Sequence, residues 1–290
     1  IDYTAMENDT LSNEIDLELV SGDTLDIITA NGETLWYDIT RHNNKNAYVD
    51  FYTLMNQDTE FSKDEYMQNV MKAMETNEAL YQMPLKFSVY TLIGNEEIYE
   101  KNKDTVWSID DFNLYLERNG NNNLYCFEGD IELLQNQILS SNKFINIHQG
   151  KVNYDSESVQ KFIALFSKHE TSYDIDHQNY TLQYANIYDF NCLNYLKHDN
   201  FKGEDIYNIG IPEISGNGAV ITVADQYSIL KSSDNIEAAW EFVKYLLSNE
   251  AQKILTQYNG ISMRKDILKK NIQSAKDGSN GCPAEAYNKK

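Results

Sequence analysis

The sequence predicts an α/β protein of two lobes, each a mainly parallel sheet flanked by helices. Short apolar runs alternate with amphipathic helical patterns along nearly the whole chain, which is how successive strand and helix units read. At 290 residues the chain is long enough for one large or two ordinary domains with buried cores, and two are favoured. No internal repeat or low-complexity segment interrupts the alternation.

The elements follow in order. Leu11, Ile15 and Leu19 are in helical phase over 7–21, Gly22 suits the C-terminal cap, and a strand is expected at Leu25–Thr29. Residues 50–75 read as helical, with Phe51, Leu54 and Met55 on one face and Ser62 and Glu65 in capping-box spacing. The acidic residues Asp58, Glu60, Asp64 and Glu65 lack the D-x-[DN]-x-[DN]-G order of a calcium loop and read as a solvated helix start. Residues 79–95 predict two short strands around Pro84, apolar on both faces. Ser108 then caps a helix with Asp111 three residues on, and Trp107, Phe112, Tyr115 and Leu116 supply its packing.

Beyond the Asn-rich loop at 119–123, a short strand begins at Leu124, and helices capped by Asp130 and by Asp155 or Ser156 follow. Residues 180–197 predict a strand entering a loop, and 206–212 a further strand. The next stretch is the most informative. Pro212, Gly216, Asn217 and Gly218 make a turn, and Val220, Ile221, Val223, Tyr227 and Ile229 make a strand. Asp234 with Glu237 can cap a helix whose apolar stripe is Ile236, Ala239, Trp240, Val243, Leu246 and Leu247. Ser248 can cap a second helix that buries Ala251, Ile254, Leu255 and Tyr258.

Composition narrows the function. A net charge of −21 repels polyanions, so no nucleic-acid partner is expected, while solubility and a monomeric state are favoured. No stretch approaches the roughly 18 consecutive apolar residues of a membrane helix. Cys126, Cys192 and Cys282 have no C-x-x-C spacing, which indicates neither a zinc site nor a disulfide scaffold; a 126–192 bridge is left open. Three arginines (Arg41, Arg118, Arg264) among many Asn, Lys, Tyr and Ile suggest an AT-rich genome, so tyrosine abundance is partly codon usage.

Catalysis lacks a constellation. There is no G-x-S-x-G, no H-E-x-x-H and no Gly-rich phosphate loop, and His42, His148, His169, His177 and His198 are scattered in polar stretches. Among 45 acidic residues a glycosidase pair can always be nominated, which gives such a nomination no weight without geometry. The expectation is a binding protein, not an enzyme, with no cofactor and no metal.

The run "KSSDNIEAAWEFVKYLLSNEAQKIL" and "GISMRKDI", following a GNG turn and a strand, and "ELVSGDTLDIITANG" near the start, resemble the extracellular solute-binding proteins (family 1, maltose-binding-protein-like) of ATP-binding-cassette sugar importers. The resemblance implies a two-lobed periplasmic-binding-protein-like (type II) fold with a hinge between the lobes. Residues 1–88 plus 217–256 would form the N-terminal lobe and 89–216 plus 257–290 the C-terminal lobe. It further implies that the family's first strand and helix, and a cleaved or lipidated leader, precede residue 1 in the full protein.

The implied function is capture of a small solute, a mono- or oligosaccharide, outside the cell and its delivery to membrane permease subunits. The implied setting is the outer face of a Gram-positive cell membrane, with a lipid anchor. In α/β lobes ligands sit at the carboxyl ends of strands, and sugars need aromatic faces plus hydrogen-bonding amides and carboxylates. Strand ends and the family's cleft-lining segments together nominate Asn31, Ser88, Phe127, Glu128, Tyr184, Asn186, Tyr188, Gln226 and Tyr227. Two rival readings stand beside this one. The first is a binding module feeding a sensor kinase or chemoreceptor, and the second is a glycoside hydrolase.

Overall fold

The computed structural model describes residues 25–30, 47–102, 107–119, 157–166, 181–212, 219–257 and 260–276, with short pieces at 13, 16–17, 124–125, 134, 138, 145–146, 151–152 and 154–155. Of the helix expected over 7–21, residues 13, 16 and 17 are described and helical. The chain divides into two units, Ile1–Ser88 with Val223–Ser279, and Val89–Thr222 with the C-terminal residues. Two long strands carry the chain across this division, β2 (Met83–Gly94) after Ser88 and β8 (Ala219–Ile229) before Val223.

In the first unit β1 (Ile27–Ala30) pairs antiparallel with β8, Ile27 opposite Ile229 and Ala30 opposite Gln226. Ile28 and Leu230 join Ala47 and Tyr48 in one apolar cluster. The helix expected over 50–75 is broken into α1 (Phe51–Gln57), a 3-10 turn at Lys63–Glu65 and α2 (Gln68–Ala73). Asp50 fixes the start of α1, its Oδ1 accepting from the backbone of Tyr52 and of Leu80, each at 3.0 Å. Ser62 makes no side-chain cap bond, so the Ser62/Glu65 box does not form. The break instead lets Phe61 stack on buried Tyr66, ring centroids 4.8 Å apart. Both helices lose backbone bonds at the break, and aromatic burial worth about 1.5–3 kcal/mol per side chain offsets them.

One 12-residue strand, β2, stands where two short ones were expected. Pro84 is its second residue, near a strand start where the missing N–H is tolerated. The strand β9 (Ile261–Ser262) pairs with β2 through Lys86 and Phe87, so residues 260–276 group with the first unit, where the sequence had suggested the second lobe. Helix α7 (Ile236–Leu246) buries Ala239, Trp240 and Val243 as its stripe predicts. Its cap residue is Asn235 and not Asp234, with Asn235 N donating to Ser233 Oγ at 2.9 Å. Ser248 caps α8 (Asn249–Leu255) as expected, accepting from Ala251 N at 3.2 Å.

The buried side of α8 differs from expectation. It is Ala251 and Gln252, while Ile254 is 66% exposed. The Gln252 amide donates to the carbonyls of Leu85 (3.0 Å) and Leu246 (3.1 Å) and accepts from Ser262 Oγ (2.6 Å) and Met263 N (3.2 Å). Four net hydrogen bonds at about 1 kcal/mol each outweigh the roughly 1.5–3 kcal/mol from burying one isoleucine. Helix α9 (Lys265–Lys276) follows, and Tyr258 lies outside the described residues.

In the second unit the far half of β2 pairs antiparallel with β6 (Leu182–Ile187) and β7 (Tyr207–Asn208). The short β3 (Leu124–Tyr125) runs parallel to β6, and β4 (Ile145–Asn146) pairs antiparallel with β5 (Lys151–Val152). Among the described pairings only β3 with β6 is parallel, where the sequence predicts mainly parallel sheets. A parallel neighbour needs a crossover long enough to return the chain, and helix α5 (Glu157–Phe166) lies on the connection that provides it. Apart from the small β4–β5 pair, the other described pairs are made onto the two long strands by segments running the opposite way.

Helix α3 (Glu96–Asn102) follows β2, and α4 (Ile109–Asn119) starts at a formed capping box. Ser108 Oγ accepts from Asp111 N at 3.1 Å, and Asp111 Oδ2 accepts from Ser108 N at 3.1 Å. Trp107, Phe112, Tyr115 and Leu116 pack with Phe162, Leu182, Tyr184, Leu134 and Ile138 as the core of this unit. The opposite face of β6 and β2 holds Ala185 and Ile93 with Leu196 and Phe201. Where the sequence predicted a loop after β6, α6 (Asn191–Tyr195) runs into a π-turn, Leu196–Asn200. The Cys192 thiol donates to the Asp189 carbonyl at 2.8 Å, and Cys126, the other half of the bridge left open by the sequence, lies outside the described residues.

Candidate functional site

Strand pairing decides which nominated residues share a face. In the second unit Tyr90 lies opposite Asn186 and Leu92 opposite Tyr184, and side chains alternate along both strands. Leu92, Tyr184 and Leu182 therefore point into the core, and Tyr90 and Asn186 continue the same face toward the carboxyl end of β6. Tyr90 stacks on Tyr184 at 5.5 Å between centroids, inclined by 21°. The two rings differ in access. Tyr184 is 1% exposed, a core side chain, whereas Tyr90 is only half-buried.

Asn186 is half-buried and carries a polar atom of interest. Its Oδ1 is shielded from solvent and has no hydrogen-bond partner. A buried acceptor left unpaired costs about 1–3 kcal/mol, so such an atom marks a place where a donor from outside the chain is favoured. Tyr188 lies just past the strand, in the bend before α6, and is half-buried. Tyr90 was not among the nominated residues. The signal that finds it is the strand period, which places it on the face of Asn186.

In the first unit Gln226 is 3% exposed and faces Ala30 across the ladder. Its Nε2 donates to the Val223 carbonyl at 3.4 Å, and its buried Oε1 is unpaired. Tyr227 points to the other face of β8, its ring edge against Phe242 of α7 at 6.2 Å. Gln226 and Tyr227, adjacent in sequence, thus belong to different surfaces. Ser88 is half-buried in β2, the last residue before the division into units. Asn31, Phe127 and Glu128 lie outside the described residues.

Amide oxygens without partners and partly open tyrosine rings suit reversible hydrogen bonding and stacking of a polar, many-hydroxyl solute. Among the described residues no group of three or more His, Cys, Asp or Glu could hold a metal ion, and no helix is long and apolar enough to cross a membrane.

Comparison with known proteins places this geometry in context. Residues 187–253, which run from the end of β6 through α7 into α8, match the family model described as bacterial extracellular solute-binding protein. Among solved structures, the sugar-binding protein MalE from Xanthomonas citri matches with a TM-score of 0.62 at 11% identity, covering 96% of this chain and 77% of that one. A solute-binding protein of an ABC transporter from Thermotoga lettingae, bound with α-D-tagatose, matches with a TM-score of 0.54 at 16% identity, over 91% of this chain and 74% of that one. An ABC substrate-binding protein from Listeria monocytogenes in complex with cycloalternan gives 0.52 at 14% identity, over 93% and 74%. No curated protein matches the sequence. The resemblance read from the sequence is borne out, and the fold is of the periplasmic-binding-protein-like type II class.

Proposed function

We propose that this chain is an extracellular solute-binding protein that captures a mono- or oligosaccharide and delivers it to the permease subunits of an ATP-binding-cassette importer. The observation that carries the reading is the coincidence of two matches. The family model falls on residues 187–253, from the end of β6 through β8 and α7 into α8, and the fold likeness to sugar-binding proteins covers 91–96% of the chain. The nominated residues fit the chemistry. Asn186 and Gln226 offer unpaired amide oxygens to hydroxyl donors, and the half-buried rings of Tyr188 and Tyr90 offer aromatic faces. Ser88, Asn31, Phe127, Glu128 and Tyr227 remain nominated contacts, and Tyr184 supports Tyr90 from below.

In this reading the protein works as a monomer, does not bind nucleic acid, performs no catalysis and is held at the outer face of a Gram-positive membrane by a lipid anchor. The net charge of −21 supports the first two points through self-repulsion and repulsion of polyanions. The strands β2 and β8 are the hinge of this reading. Solution scattering that gives the same radius of gyration with and without solute counts against that part of it.

A thermal-shift screen over sugars, amino acids, polyamines and metal ions tests the function directly. A solute present at 100 times its Kd stabilises by about 2.7 kcal/mol, well within reach of such a screen. Stabilisation by saccharides, with the oligosaccharide recovered intact, supports the proposal. Stabilisation by an amino acid or polyamine alone, or release of a shortened sugar, overturns it.

A further inference from the structure

Asp225 adopts a left-handed backbone, φ +53°, inside strand β8. A non-glycine residue in that region costs about 1–2 kcal/mol, and such strain persists only where the surroundings hold it. Here the hold is visible. Lys86 Nζ of the neighbouring strand β2 sits 2.8 Å from Asp225 Oδ2, with the two side chains 16% and 26% exposed. The Lys86 stem is itself confined. Lys86 pairs with Ser262 of β9, and a Cβ added at Gly260 would fall 2.6 Å from Lys86 Cδ.

Gln226, directly after Asp225, forms the last pair of the β1–β8 ladder. Its side chain folds back across the kink to the Val223 carbonyl, which leaves Oε1 buried and unpaired. A regular strand would give residues 225 and 226 a simple alternation; the left-handed turn re-aims the chain at that point. The geometry points to Lys86 and Asp225 as positioning residues that hold the β8 kink and thereby present Gln226 Oε1 as an acceptor for a hydroxyl of the bound saccharide. This inference rests on the proposed saccharide-binding function. Neither Lys86 nor Asp225 need touch the solute.

The test compares Lys86→Met, which keeps the stem against Gly260 but removes the charge, Asp225→Asn, which keeps a residue tolerant of the left-handed region, and Lys86→Arg, which restores the ion pair. Two readouts are taken. The first is hydrogen exchange of the amides of residues 226–229 in the solute-free protein. Faster exchange in Lys86→Met and Asp225→Asn, reversed in Lys86→Arg, is expected, and unchanged exchange overturns the inference.

The second is calorimetric affinity for maltose, with α-D-tagatose as second probe, beside Gln226→Ala and the melting temperature of each variant. Affinity is expected to fall about tenfold, which is about 1.4 kcal/mol, in both charge-removing variants and in Gln226→Ala, with recovery in Lys86→Arg. A lowered melting temperature with unchanged affinity in Lys86→Met, while Gln226→Ala binds weakly, overturns positioning and leaves a structural pair. If neither sugar binds the wild type, and the thermal-shift screen finds no other, it is the saccharide reading that fails, and exchange alone decides whether the pair holds the kink.

Discussion

Trp240 of α7 donates its indole N–H to Asp58 Oδ2 at 2.9 Å, joining residues 182 apart in sequence. The same oxygen accepts from Lys244 Nζ at 2.9 Å, and the Trp240 ring lies edge-on to Phe61 at 5.1 Å. One carboxylate thus ties the loop after α1 to the apolar stripe of α7. Hydrogen bonds from Lys244 and then Trp240 hold the Asp58 carboxyl down to about 2, while the free carboxyl titrates near about 3.9.

The first prediction is a pH dependence. Because the folded pKa is depressed, the stabilisation by Asp58 is fully present above the unfolded value and is lost as pH falls through it toward about 2. Asp58→Asn, which keeps an acceptor for Trp240, is expected to melt below the wild type near neutrality and to converge on it across about pH 4 to about 2. Melting temperature against pH for the two proteins checks this, and a constant gap down to the acid limit contradicts it.

The second concerns the paired tyrosines. Tyr90→Ala should weaken saccharide affinity by roughly 1–4 kcal/mol, the scale of an interface anchor, with little loss of stability. Tyr184→Ala should instead destabilise by about 3–5 kcal/mol, as large core truncations do, because that ring is 1% exposed. Calorimetry and denaturant unfolding separate the two. Equal stability loss in both variants would show that Tyr90 is also core.

The contrast between these tyrosines shows how far the sequence was legible. Their alternation with Leu92 and Leu182 marks a strand face, but which end of that face is roofed depends on Trp107, Phe112 and Phe162 packing from distant helices. Local chemistry read well where both partners are close in sequence. The Ser108–Asp111 box and the Ser248 cap form as predicted. Ser62 and Glu65 have the same spacing yet make no box, since burying Tyr66 beside Phe61 sets the backbone there. The antiparallel pairings onto β2 and β8 were hidden because strand order is a long-range property. Asn186, in the segment after "TLQ", and Gln226, in the segment returning to the first lobe, were nominated from strand ends together with the cleft-lining segments of the resembled family. That each leaves an amide oxygen unpaired needed the three-dimensional neighbours.

The third prediction tests the polar hub under α8. Gln252→Leu keeps the volume but strands the Ser262 hydroxyl and the Met263 N–H, both buried partners of its amide oxygen. The two stranded donors cost about 1–3 kcal/mol each, and the Leu85 and Leu246 carbonyls lose a donor as well, so a loss of at least roughly 2–6 kcal/mol in unfolding free energy is expected. Ile254→Gln, on the exposed side of the same helix, should change stability by less than about 0.5 kcal/mol. If the two variants unfold alike, the buried face of α8 has been assigned wrongly.

The fourth prediction separates two costs at Gly260. Its φ of +94° lies where side chains are strained, and an added Cβ would meet Lys86 at 2.6 Å from Cδ, 2.9 Å from Cγ and 3.0 Å from Cβ. The ion pair to Asp225 keeps that stem from moving aside, so Gly260→Ala carries both backbone strain and a steric clash. The clash component should vanish when the stem is removed. In a double-mutant cycle, Gly260→Ala is therefore expected to cost less in the Lys86→Ala background than in the wild type, with a coupling within the roughly 0.5–3 kcal/mol range of contacting residues. Strictly additive costs would mean that the backbone angle alone demands glycine, and that Lys86 is free to yield.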